Sequence, residues 1–156
     1  MGEKIKETAQ EAASEATQEE KQTTNEETLY ARIGGEAGVR QLVTLFYDNM
    51  EVSAEAKHVL SLHPADLTSS RLKLLQYFSG WFGGPPLYTD LYGHPRLRAR
   101  HIHVPVTIAD RDAWLKCLYL ALETMSLPSD VHQDLLEKIV PMADHMRNVE
   151  EEPEAS

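Results

Sequence analysis

The stretch Gly93-His94-Pro95-Arg96-Leu97-Arg98-Ala99-Arg100-His101 decides how this chain is read. Pro95 suits the first turn of a short helix, because its fixed φ costs nothing there. His94, Leu97 and His101 are then spaced i, i+3, i+7 and share one face, with Arg98 and Arg100 on the flanks. Pro105 closes the segment a few residues later. A histidine with arginines beside it suits a metal-bearing cofactor that also carries anionic groups, since guanidinium forks match carboxylates. The plain alternative is a solvated basic turn.

The sequence on either side reads as helices. Upstream, Gly34-Gly35 marks a turn. Val39, Leu42, Val43, Phe46, Tyr47 and Met50 then follow the three-four spacing of one helical face. A short helix or loop covers about 53–62, and His63-Pro64-Ala65-Asp66 makes a turn because a residue before proline is pushed out of helical geometry. Leu67, Arg71, Leu74, Leu75, Phe78 and Phe82 form a second face, ended by Gly83-Gly84-Pro85-Pro86. Downstream, Thr107 and Asp110 read as an N-cap with its acidic partner three residues on. Trp114, Cys117, Leu118, Ala121, Leu122 and Met125 recur at helical spacing. Leu127-Pro128-Ser129 then breaks the chain. The last face is Val131, Leu135, Ile139, Met142, Ala143 and Met146, and Pro141 is expected to kink that helix. No strand alternation and no repeat is found, so the expected class is all-α.

The net charge of −10 belongs mostly to the ends. Residues 1–27 hold eight Glu against three Lys, and residues 149–156 hold four Glu, which leaves 28–148 near neutrality at −1. Residues 1–27 have one large apolar side chain, Ile5, and a Glu at every fourth position from Glu3 to Glu19. A like-charge stripe of this kind is mildly destabilising in a helix. The expectation is a disordered or loosely helical acidic tail over 1–27, a globular domain over 28–148 and a second disordered acidic tail over 149–156. A near-neutral body argues against nucleic acid as a partner. No apolar run reaches the length of a membrane span. The single cysteine, Cys117, and the polar start point to cytoplasmic residence.

His101 is the leading candidate metal ligand, and haem fits the pattern because its iron takes an axial imidazole and its two carboxylates need cations. A zinc reading that pairs His101 with His103, and with Asp110 or Asp112, lacks the tight repeated spacing such sites use. Tyr47 and Trp114 each lie on an apolar helix face. Both are ordinary core aromatics unless their polar tips share a pocket, where they would donate to a bound ligand. His63 and Ser70 could join them, with Ser70 and Leu74 on one face and Lys73 at its edge. Cys117 reads as a buried thiol. No catalytic triad, phosphate loop or carboxylate pair is present.

The body resembles the group II truncated haemoglobins. The likeness is carried by Leu29-Tyr30-Ala31-Arg32-Ile33-Gly34-Gly35, Phe46-Tyr47, Gly83-Gly84-Pro85-Pro86-Leu87-Tyr88, the Gly93–His101 stretch and Arg111-Asp112-Ala113-Trp114-Leu115-Lys116-Cys117. It implies a truncated globin: a two-over-two helical sandwich around haem b. By the same likeness His101 is the proximal iron ligand, Tyr47 the distal tyrosine and Trp114 the tryptophan of groups II and III. His63 falls beside the haem, where it either donates to bound ligand or takes the sixth site of iron. Ser70 and Leu74 fall on the distal helix, and Lys73, Tyr88 and Arg100 where the propionates are held. His103-Val104-Pro105 departs from the family, which often has an aromatic before the proline.

The implied function is reversible binding of O2, with CO, NO, sulfide and peroxide as further ligands. The alternative is a peroxidase-like or nitric oxide dioxygenase activity. That chemistry needs a separate reductase, because the chain carries no flavin or nicotinamide fingerprint. A sulfide- or redox-sensing role ranks below both. Monomer and homodimer are equally compatible with the sequence.

Overall fold

A computed structural model describes residues 27–96 and 104–146. The expectations for the acidic tails, for the turn after Pro95 and for His101 and Arg100 therefore fall outside the described residues. Every regular element among the described residues is helical: α1 (Leu29–Ile33), α2 (Gly35–Val52), a 3-10 turn (Ala54–Ala56), α3 (Lys57–Ser61), α4 (Thr68–Trp81), α5 (Leu87–Tyr92), α6 (Ile108–Met125) and α7 (Ser129–Met146). None of them is long and apolar enough to cross a membrane.

The helices stack in two pairs. α2 crosses α4 in one layer, α6 pairs with α7 in the other, and the longest interface joins α2 to α6. This is the expected two-over-two sandwich. Its centre is the face read from sequence: Val39, Leu42, Phe46 and Met50 of α2 are fully buried, in one core cluster with Leu118, Ala121 and Leu122 of α6 and Leu135 and Ile139 of α7. Burying side chains of this size contributes roughly 1.5–3 kcal/mol each.

The ends of the helices are set locally. Thr28 caps α1 by accepting the Ala31 N–H. Gly34 (φ 114°) turns α1 directly into α2 in a conformation L-residues avoid. Gly38 then lies against the Ile33 carbonyl, so close that a Cβ would overlap it. The Tyr30 N–H bonds to the Phe82 carbonyl at 2.8 Å, fastening α1 to the end of α4. At α6, Thr107 accepts the Asp110 N–H at 3.0 Å while Asp110 accepts the Thr107 N–H at 3.1 Å, completing the capping box.

Two features differ from the sequence reading. α5 was not anticipated. It has no buried residue, so it shows no apolar face for periodicity to detect. Arg71, counted on the second apolar face, is half-buried, and its guanidinium bonds to Asp48 at 2.9 Å and Glu51 at 3.4 Å on α2. α7 runs through Pro141 within one helix.

A polar-tipped cavity between the helix layers

The sandwich encloses a cavity of about 300 Å³. Its walls are mainly apolar: Val59, Leu62, Leu74, Val106, Met142 and Met146. Tyr47, His63 and Trp114, each with a polar atom on its ring, line the same space, as do Asp110 and Arg111. The three rings come from different parts of the fold. Tyr47 comes from α2, His63 from the turn between α3 and α4, and Trp114 from α6. Sequence separations of 16 to 67 residues are closed by packing, and the aromatic rings show how. Phe46 meets Tyr47 edge-on at 4.9 Å and Trp114 edge-on at 4.8 Å. The Tyr47 and His63 rings meet edge-on at 5.7 Å.

Tyr47 is only 4 % exposed. Burial pushes its phenol up to about 12, partly offset by the Arg71 guanidinium, which sits 5.6 Å from the ring centre. The hydroxyl therefore stays protonated, and a donor, across the ordinary pH range. His63 Nδ1 lies 2.9 Å from the Val59 carbonyl oxygen. A carbonyl only accepts, so Nδ1 carries the hydrogen and the lone pair of the neutral ring is on Nε2. Nε2 of the neutral ring can then only accept. It becomes a donor only when the ring is protonated.

The remaining candidates are placed as follows. Leu74 lines the cavity, while Ser70, one turn earlier on α4, is half-buried and is not part of the lining. Asp110 also reaches the lining, but its carboxylate is occupied by the Thr107 N–H and by His58. That occupation removes it from the zinc reading. Among the described residues no group of three or more His, Cys, Asp or Glu side chains is arranged to hold a metal ion. Tyr77 lines the cavity and also a second, wider one of about 680 Å³. Tyr88, His94, Pro95 and Arg96 border this second space. Lys73 is exposed, with its ammonium 5.5 Å from the Tyr92 ring centre. His101 and Arg100 lie outside the described residues.

Sequence reasoning did not place Val59, Leu62, Tyr77, Val106, Asp110, Arg111 or Met142 in the lining. Met142, like its neighbours Ala143 and Met146, carried a signal as part of the apolar face of the last helix, and Asp110 as the N-cap partner of Thr107. The lining fits a haem: apolar walls for the macrocycle, Tyr47, His63 and Trp114 as polar residues among them, and a cationic residue, Arg96, bordering the second space, which shares Tyr77 with the first.

Comparison with known proteins agrees with this geometry. The bacterial-like globin family matches residues 28–148. The chain is 38 % identical over 124 residues to a group 2 truncated hemoglobin of Bacillus subtilis, covering 78 % of this chain and 90 % of that protein. Among solved structures it is similar to a group II 2-on-2 hemoglobin from Agrobacterium tumefaciens (TM-score 0.78, 38 % identity, 83 % of this chain and 100 % of that one). It is also similar to a truncated oxygen-avid haemoglobin from Bacillus subtilis (TM-score 0.72, 36 % identity, 78 % and 100 %). The two-over-two sandwich, its polar-tipped cavity and these likenesses together make the chain a member of the group II truncated haemoglobins, a haem-binding family whose members typically bind O2.

Proposed function

We propose that this protein binds O2 and other diatomic ligands reversibly at haem b, in a pocket whose polar groups are Tyr47, His63 and Trp114. One observation carries the reading: these three side chains, from three separate segments, line one mainly apolar cavity. The haem supplies an iron that takes a diatomic ligand in its ferrous state. The chain's own residues do the rest. His101 is assigned to the iron from its place in the family motif, and Lys73, Tyr88 and Arg100 to the propionates. Ser70 and Leu74 belong to the distal helix, with Leu74 as a wall. Tyr47 stays a neutral donor because burial holds its proton. Trp114 contributes an indole N–H, which can only donate. A ligand that gains partial negative charge is held by such donors, as oxyanions are elsewhere.

The domain is assigned to 28–148, on the extent of the family match. The reading is tested by absorption spectra of the haem-loaded chain and by ligand release rates. His101→Ala is expected to lose the ligated haem spectrum. Trp114→Phe is expected to speed O2 or CO release roughly tenfold, the worth of about one hydrogen bond in a dry pocket. An unchanged release rate overturns the assignment of Trp114. Sustained oxidation of a dye by peroxide, well above that of free haem, would replace binding with the enzyme reading.

A further inference from the structure

One surface histidine is wired to the pocket. The His58 imidazole on α3 is more than half exposed, yet its Nδ1 lies 2.8 and 2.9 Å from the two carboxylate oxygens of Asp110. Asp110 is 4 % exposed. A carboxylate this deep is costly without a compensating charge. Asp110 also completes the capping box that starts α6, and Trp114 stands one turn further along that helix.

We propose that His58 is a positioning residue for Trp114: its ion pair with Asp110 sets how firmly the pocket retains a ligand, more firmly at acid than at alkaline pH. This rests on the reading of Trp114 as a ligand donor. Protonated His58 makes a charge-assisted bond to Asp110, roughly twice as strong as a neutral one. The neutral ring still donates from Nδ1 but leaves the buried carboxylate uncompensated. The start of α6 then loosens, and the indole one turn on is less well fixed.

Most other charged groups around α3 are already engaged. Glu55 of the 3-10 turn pairs with Lys116 of α6 at 3.0 Å. Asp48 and Glu51 of α2 are held by Arg71. Arg111, beside Asp110, bonds to Asp112 and to Asp144 of α7. Lys57 precedes His58 on its own helix, and His63 in the following turn bonds to the Val59 carbonyl. Asp110 is the acidic partner bonded to His58.

The experiment uses the haem-loaded full chain in its ferrous CO form. CO release is measured from about pH 5.5 to 8.5, the range in which imidazoles change charge, for wild type, His58→Gln and His58→Lys. Hydrogen exchange of the Trp114 indole N–H is followed by NMR in the same samples. Wild-type release is expected to rise roughly fivefold across this range, the lower end of ordinary coupling between sites. His58→Gln is expected to release fast throughout and His58→Lys slowly throughout, with indole exchange following the same order. A His58→Gln profile that matches wild type overturns the proposal, as does altered release with unaltered indole exchange. If Trp114→Phe leaves release unchanged, the donor reading fails. The indole exchange then decides the tether alone: faster in His58→Gln supports it, equal rates overturn it.

Discussion

Replacing Tyr47 with Phe should make the protein more resistant to alkali, although it removes a polar group from the pocket. In the folded protein the phenol is pushed up to about 12 by burial. In the unfolded chain it ionises near its ordinary value of about 10. Above about pH 10 the unfolded state therefore holds fewer protons than the folded state, and stability falls as pH rises. The contribution is fully present below about 10. It declines through the interval and is lost at about 12, a total of about 3 kcal/mol. At about pH 11 half of it has gone. For a domain of this size that corresponds to a fall in Tm of roughly 3–6 °C. The assay is thermal unfolding followed by circular dichroism at about pH 8 and 11, for wild type and Tyr47→Phe. Tyr77, also pushed up to about 12 by burial, acts in the same direction in both proteins. The difference between them therefore isolates Tyr47. Equal losses of Tm in the two proteins would refute the claim that this phenol is buried and neutral.

Three further outcomes are expected. Thr107→Ala removes the acceptor that caps α6 and should cost about 1–2 kcal/mol, read as a lower urea midpoint with the slope unchanged. Gly38→Ala sets a Cβ against the Ile33 carbonyl and should cost about 3 kcal/mol, since backbone on both sides resists the shift; a stability within error of wild type would show that α1 can move away. Cys117 is 2 % exposed and burial pushes its thiol up, so a thiol reagent should modify it only as fast as the protein opens. Immediate modification would contradict that burial.

Helix faces were the most legible part of the sequence, because a long apolar stripe has to meet another one. All six residues assigned to the α2 face, from Val39 to Met50, are buried. The Thr107–Asp110 capping box was legible for a different reason: both partners lie within one turn. α5 was not, because Leu87 and Leu91 stay exposed and nothing in its pattern distinguishes it from a loop. In the pocket, the residue types of Tyr47, His63 and Trp114 were suggestive, but their meeting depends on how α2 lies across α6, which no local pattern encodes. His58 and Asp110 are 52 positions apart. Their pairing had no sequence signal at all, and the carboxylate had been weighed as a zinc ligand. The role of His63 also needed the structure. Only the Val59 carbonyl at Nδ1 shows which ring nitrogen carries the hydrogen when the ring is neutral.

The neighbours Phe46 and Tyr47 explain how so short a sandwich keeps its polar groups in register. Successive residues on a helix point about 100° apart, so one α2 position can face α6 while the next faces the cavity. Phe46 takes the first role. Fully buried, its ring lies edge-on to both Tyr47 and Trp114. It therefore acts as the spacer between two of the three polar tips. α2 cannot slide along α6 without carrying this ring, and the ring cannot move without displacing both neighbours. On the other side, Arg71 reaches from α4 to Asp48 and Glu51 and covers the Tyr47 ring. The Tyr47 ring is thus held by two groups, Phe46 and Arg71, that are not part of the cavity lining. Close packing does not deform continuously, so the position of the pocket donors is set by the same contacts that stabilise the fold.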